Sequence, residues 1–204
     1  MYNMQSITND IIEYIKRKGR GSIFFADEFR KLGSNDAVRQ ALSRLCRKNF
    51  LIRLSAGIYL YPKIDKETGI IFPSIETIAK IIAKREKTRL IPTGAYALNA
   101  LGLSTQVPAK VVFLTDGTAR VVKVGKNATI KFKRTVAKNL SFKGEISSLA
   151  IFALKEIGKE NVADEQLQKI KEALRHEKRE DIIHDAHLAP VWISDAILKL
   201  IENE

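Results

Sequence analysis

Apolar positions recur along this chain with two periods. The order of the helix-period and strand-period stretches predicts its elements. Ile7, Ile11, Ile12 and Ile15 fall at helical spacing. They predict a first helix over 6–17, capped by Ser6 and ending in Lys16-Arg17-Lys18 before Gly19, with cations at the favourable end of the dipole. Ser22–Phe25 is a short apolar run that reads as a strand. A second helix is expected from Asp27, as its cap, to Leu32, stopped at Gly33. A third, Asn35 to Asn49, is capped by Ser34 or Asn35, with Val38, Leu42 and Leu45 on one face and Arg39, Ser43 and Arg47 on another. Gln40, Arg44 and Lys48 lie beside that second face. The ribbon Phe50–Arg53 and Gly57–Tyr61, turning at Ser55-Ala56-Gly57, follows directly.

Beyond Pro62 the pattern changes. Residues 63–72 read as a polar connector carrying Thr68-Gly69. Helices are expected over 75–87 and 94–101. Three antiparallel strands then follow within 110–135 (VVFLT, ARVVKV, TIKFKR), with turns at Asp116-Gly117 and Gly125-Lys126-Asn127. Alternation in TIKFKR sends Lys131 and Lys133 to one face and Ile130 and Phe132 to the other. Helices over 146–157, 164–177 and 190–201 complete the chain. The predicted class is α+β. An N-terminal winged helix-turn-helix (residues 1–63) is followed by a larger α/β C-terminal domain (residues 70–204) with a small antiparallel sheet and helices.

Charge sharpens this picture. The net +12 is uneven: residues 1–63 hold 12 Lys/Arg against 5 Asp/Glu, residues 64–144 hold 15 against 5, and residues 145–204 hold 8 against 13. The first two thirds suit a polyanion and the last third a different contact. Guanidinium and amide groups along one helix are the groups that read base edges and grip phosphates. Arg39, Gln40, Ser43 and Arg44 are therefore expected at bases or the nearest phosphates, and Arg47, Lys48 and Arg53 at the backbone. A second basic surface, Arg120, Lys123, Lys131 and Lys133, with Lys126 and Arg134 close by, sits on the predicted sheet. It suits DNA, an acidic partner or plain solvation.

Other chemistry finds little footing. The single cysteine, Cys46, has no resolving partner and reads as a packed thiol. His184 and His187, with His176 nearby, lack a zinc-protease pattern, so no metal is expected. No phosphate-cradling glycine motif occurs, and no catalytic set survives. The expectation is a protein that is not an enzyme and needs no cofactor. With no membrane-length apolar run and no secretory start, it is expected in the cytoplasm.

Three stretches carry a resemblance. VRQALSRLCRKNFLIRLSAGIYLYP at 38–62, PTGAYALNALGLSTQVPAKVVFLTDGTAR at 92–120 and NLSFKGEISSLAIFAL at 139–154 resemble the AbiEi-type antitoxins of abortive-infection (type IV) toxin–antitoxin systems. The resemblance implies a transcriptional regulator whose winged helix binds inverted repeats in its own promoter, on double-stranded DNA, as a dimer or cooperatively. It also implies an antitoxin acting against a nucleotidyltransferase-like toxin. The alternative reading is a module that uses the winged helix as a scaffold to bind a partner protein rather than DNA.

Overall fold

The computed structural model describes residues 4–202. Residues 1–3, 203 and 204, at the outer ends of the two expected domains, lie outside the described residues. Contacts group the chain into two units, Met1–Ile81 with Val122–Lys126, and Ile82–Val121 with Asn127–Glu204. The sequence reading divides the chain at 63–70; these units divide it within a helix, Ile75–Glu86. The protein is of mixed α+β class.

The first unit begins with α1 (Met4–Lys18), which buries Ile7, Ile11 and Ile15 as its periodicity requires. Ser6 lies inside this helix rather than capping it. β1 (Ile23–Phe25) leads into a 3₁₀ helix over Ala26–Leu32, where an α-helix capped by Asp27 was expected. Glu28 reaches back to accept the Phe25 N–H at 2.7 Å, which satisfies the donor at the start of this helix. α2 (Asn35–Arg47) then precedes β2 (Ile52–Ser55) and β3 (Ile58–Leu60). The sheet order is β1-β3-β2, antiparallel throughout, with Ile23, Phe24 and Phe25 paired to Leu60, Tyr59 and Ile58 of the ribbon. Phe24, Phe29, Val38, Leu42, Leu45 and Leu51 join the α1 isoleucines in one core.

The connector is more ordered than its polarity suggested. β4 (Lys63–Asp65) and β5 (Gly69–Ile71) form a hairpin in which Asp65 accepts N–H bonds from Glu67 and Thr68 and the Thr68 hydroxyl. Those bonds hold the Asp65 carboxyl below its ordinary range. α3 (Ile75–Glu86) crosses the division between the units.

The expectation of three antiparallel strands within 110–135 is corrected. A further strand, β6 (Leu90–Thr93), precedes α4 (Ala95–Ala100), and β7 (Lys110–Thr115), β8 (Arg120–Val124) and β9 (Ala128–Arg134) follow. The sheet order is β6-β7-β9-β8: β6 is antiparallel to β7, and β7 runs parallel to β9, pairing Val111 with Ile130 and Phe113 with Phe132. The turn at Asp116-Gly117 therefore closes no hairpin. Asp116 instead accepts the Arg89 N–H at 2.9 Å and the Arg89 Nε at 3.0 Å, bonds that lower its pKa. Gly117 lies so close to Thr88 that a Cβ there would come within 2.7 Å of its Cγ2.

The remaining helices are α5 (Glu145–Ile157), α6 (Asp164–Leu174), α7 (Arg179–Ala186) and α8 (Val191–Glu202). α6 ends three residues earlier than expected, and α7 was not foreseen. These helices share a core of Ile151, Leu154, Ile170, Leu174, Ile193 and Ile197. The start of α5 is held by residues distant in sequence. Fully buried Asp185 accepts from Lys143 N and Gly144 N, both at 2.9 Å, and from Ser147 Oγ at 2.6 Å. Glu177 accepts from the backbone of Ile146 and Ser147. Negative charge at a helix N-terminus meets both its orphan donors and its dipole. Among the described residues no helix is long and apolar enough to cross a membrane.

Candidate nucleic-acid interface

α2 owes its position to signals at both ends. Ser34 Oγ accepts the Ala37 N–H, which settles the cap between the two residues considered. At the other end Asn49 takes a left-handed conformation (φ 56), and Phe50 N donates to Leu45 O, so the helix stops at Arg47 rather than Asn49. Val38, Ala41, Leu42 and Leu45 are buried, which turns Arg39, Gln40, Ser43, Arg47 and Lys48 outward. The ribbon begins two residues later than predicted. In it Arg53 lies directly across from Tyr59, and a register shift separates Arg53 from Ser55. Arg53 is exposed, with Nε 3.4 Å from Ser55 O.

Arg39, Gln40, Ser43 and Arg47 of α2 and Arg53 of β2 open onto one cavity of about 580 Å³. Cys46 and Tyr59 also line it, neither of them among the residues expected at the site. Their signal was available: Cys46 lies one turn from Ser43 and Leu42, and Tyr59 shares a ribbon face with Arg53. Burial pushes the Cys46 thiol and the Tyr59 hydroxyl up in pKa, and nearby Arg53 pulls each partly back. Among the described residues no Asp or Glu lines the cavity. A nearby ion pair, Arg39 with Asp36 at 3.0 Å, is exposed on both sides and worth little, so Arg39 can exchange it for another anion.

Arg44 departs from the expectation. Its Nε and Nη2 are buried and have no hydrogen-bond partner, so this guanidinium is not presented to a groove with the others. The cause is angular. Arg44 sits between the outward face and Ala41, close enough to the packed side to be drawn in. Of the second basic surface, Arg120 is only 19% exposed and paired with Glu86 at 2.6 Å, which removes it from a free cationic face. Lys123, Lys131 and Lys133 are exposed, and Ile130 and Phe132 are buried, as alternation requires. The histidine stretch resolves differently: His184 Nδ1 lies 2.9 Å from Asp185, whose carboxylate is already occupied by the start of α5. Among the described residues no cluster of three or more His, Cys, Asp or Glu is placed to hold a metal.

Fold and groove together define a mixed α+β protein with an acid-free cationic cleft between a helix and a short ribbon. Residues 10–182 match a family described as a family of unknown function (DUF6088), and the chain belongs to that family. No curated protein matches it. Its fold is similar to that of the RV2827C protein from Mycobacterium tuberculosis, known from a crystal structure. The TM-score is 0.53 at 10% sequence identity, over 96% of this chain and 76% of that one. At that identity the likeness is one of fold.

Proposed function

We propose that this chain is a cytoplasmic, sequence-specific DNA-binding repressor that autoregulates its operon. The observation that carries the proposal is the cleft in which Arg39, Gln40, Ser43, Arg47 and Arg53 converge without a carboxylate. The order α1, β1, 3₁₀ helix, α2, β2, β3 supports a winged helix-turn-helix, with α2 as the recognition helix and β2–β3 as the wing. In this reading Arg39, Gln40 and Ser43 meet base edges in a major groove. Arg47, Lys48 and Arg53 hold phosphates, and the duplex binds as inverted half-sites, to a dimer or cooperatively. No catalytic step and no cofactor enters the proposal. The antitoxin role, opposing a nucleotidyltransferase-like toxin, rests on the resemblance to AbiEi-type proteins, whose distinctive stretch 92–120 spans the end of β6, α4 and β7.

The test is titration of the protein with its own upstream duplex and a scrambled one at two salt concentrations. Preference for the native duplex that survives the higher salt supports the proposal. Arg47→Ala should weaken both duplexes alike and make log K less steep in log[salt] by about 0.9, the share of one phosphate. Equal, salt-sensitive binding to both duplexes, unaltered by Arg47→Ala, refutes it. One observation favours a second reading, a protein-binding module: the excess of 13 acidic over 8 basic residues in 145–204. Co-purification with the neighbouring gene's product, together with indifference to DNA, would establish that reading instead.

A further inference from the structure

Arg53 lines two cavities. Besides the cleft along α2 it borders a second, of about 560 Å³, with Lys123 and Lys126 on its rim and Ile52, Ile70 and Phe72 among its lining. Lys123 comes from β8 and Lys126 from the turn to β9, some seventy residues beyond the wing, yet Val122–Lys126 belongs to the same compact unit as α2 and the ribbon. The turn is held in place by packing. Gly125 adopts a left-handed conformation (φ +65), and a Cβ there would lie 3.4 Å from the Phe72 ring. Among the described residues no Asp or Glu lines this cavity either.

Both lysines are exposed and border the same cavity as Arg53; the Asp65 carboxylate next to its lining residue Thr68 is already engaged by Glu67 N, Thr68 N and the Thr68 hydroxyl. Three neighbouring cations repel one another in the free protein, and a polyanion removes that cost. The lining also suits a sugar–phosphate strand. Ile70 is 47% exposed and Phe72 half-buried, giving apolar surface for deoxyribose between cations for the phosphates. Arg120, which the sequence grouped with these lysines, is spent on Glu86 and takes no part.

We propose that the Lys123–Lys126 turn is a second phosphate-backbone contact, so that a duplex held by α2 continues past Arg53 onto it. The inference rests on the reading that α2 and the ribbon bind DNA, and it lengthens the footprint of a single chain. Phosphate contacts carry no sequence information, so the turn contributes affinity and register but not choice of operator.

The experiment compares full-length wild type, Lys123→Ala/Lys126→Ala and Arg47→Ala on native and scrambled duplexes across a salt series. The double variant is expected to bind both duplexes more weakly by the same factor, about 8-fold per lysine at 0.1 M salt. Its salt slope should be shallower by roughly 1.8, with thermal unfolding unchanged. An unchanged Kd and slope, alongside the expected loss in Arg47→Ala, overturns the second contact and leaves the α2 reading standing. A loss confined to the native duplex also overturns it, because that marks base recognition. Failure of the wild type to bind either duplex overturns the α2 reading and this contact with it.

Discussion

Replacing Asp185 by alanine takes away an acceptor on which three donors and one imidazole converge. Lys143 N and Gly144 N lie at 2.9 Å, Ser147 Oγ at 2.6 Å and His184 Nδ1 at 2.9 Å, around a side chain with 0% exposure. Hydrogen bonds to a charged group each contribute about 1.5–3 kcal/mol net, and an orphaned buried donor costs about 1–3 kcal/mol. Summing the three donors overshoots, since water enters the vacated space and Glu177 still caps Ile146 N and Ser147 N. A loss of about 3–5 kcal/mol remains, the range for removing one partner of a buried charged set. For a chain of this length that corresponds to a fall in Tm on the order of 10 °C. Thermal and urea unfolding should show it, with exposed Lys169→Ala as the control and Asp185→Asn intermediate, because an amide replaces one accepting oxygen by a donor. Hydrogen exchange should quicken at Gly144 before it does in α1. If Asp185→Ala melts within about 2 °C of wild type, the assignment of Asp185 as the anchor of α5 is wrong.

Two further predictions concern the cleft. Arg44→Met should leave duplex affinity within about 2-fold and keep or raise stability by up to roughly 1–2 kcal/mol, since it removes two buried guanidinium nitrogens that have no hydrogen-bond partner. If it abolishes specific binding as strongly as Arg39→Ala, Arg44 reaches the DNA after all. Cys46, the single thiol, should react with a maleimide more slowly than a free cysteine at neutral pH, because burial raises its pKa more than Arg53 lowers it. The protonated form is the one the fold favours, so its contribution to stability is full below the ordinary thiol pKa and lost as pH rises through the raised one. A saturating duplex should slow the labelling several-fold further; an identical rate with and without DNA would place the duplex away from this cleft.

Much of this protein follows from local sequence. Isoleucines at helical spacing bury themselves in α1, Ser34 caps α2, and alternation in TIKFKR puts Ile130 and Phe132 inside with Lys131 and Lys133 outside. The outward set Arg39, Gln40, Ser43 and Arg47 was legible for the same reason: a helix converts spacing directly into direction. Tertiary structure decided what depends on partners far along the chain. β9 entered the sheet between β7 and β8 while Arg89 held the turn at Asp116, which no pattern within 110–135 encodes. Arg44 was drawn to the packed side, Arg120 found Glu86, and Asp185 became the cap of a helix forty residues earlier. The meeting of Lys123 and Lys126 with Arg53 is of the same kind. Periodicity states which face a residue occupies on its own element, but which charges share a surface is settled only when the elements pack.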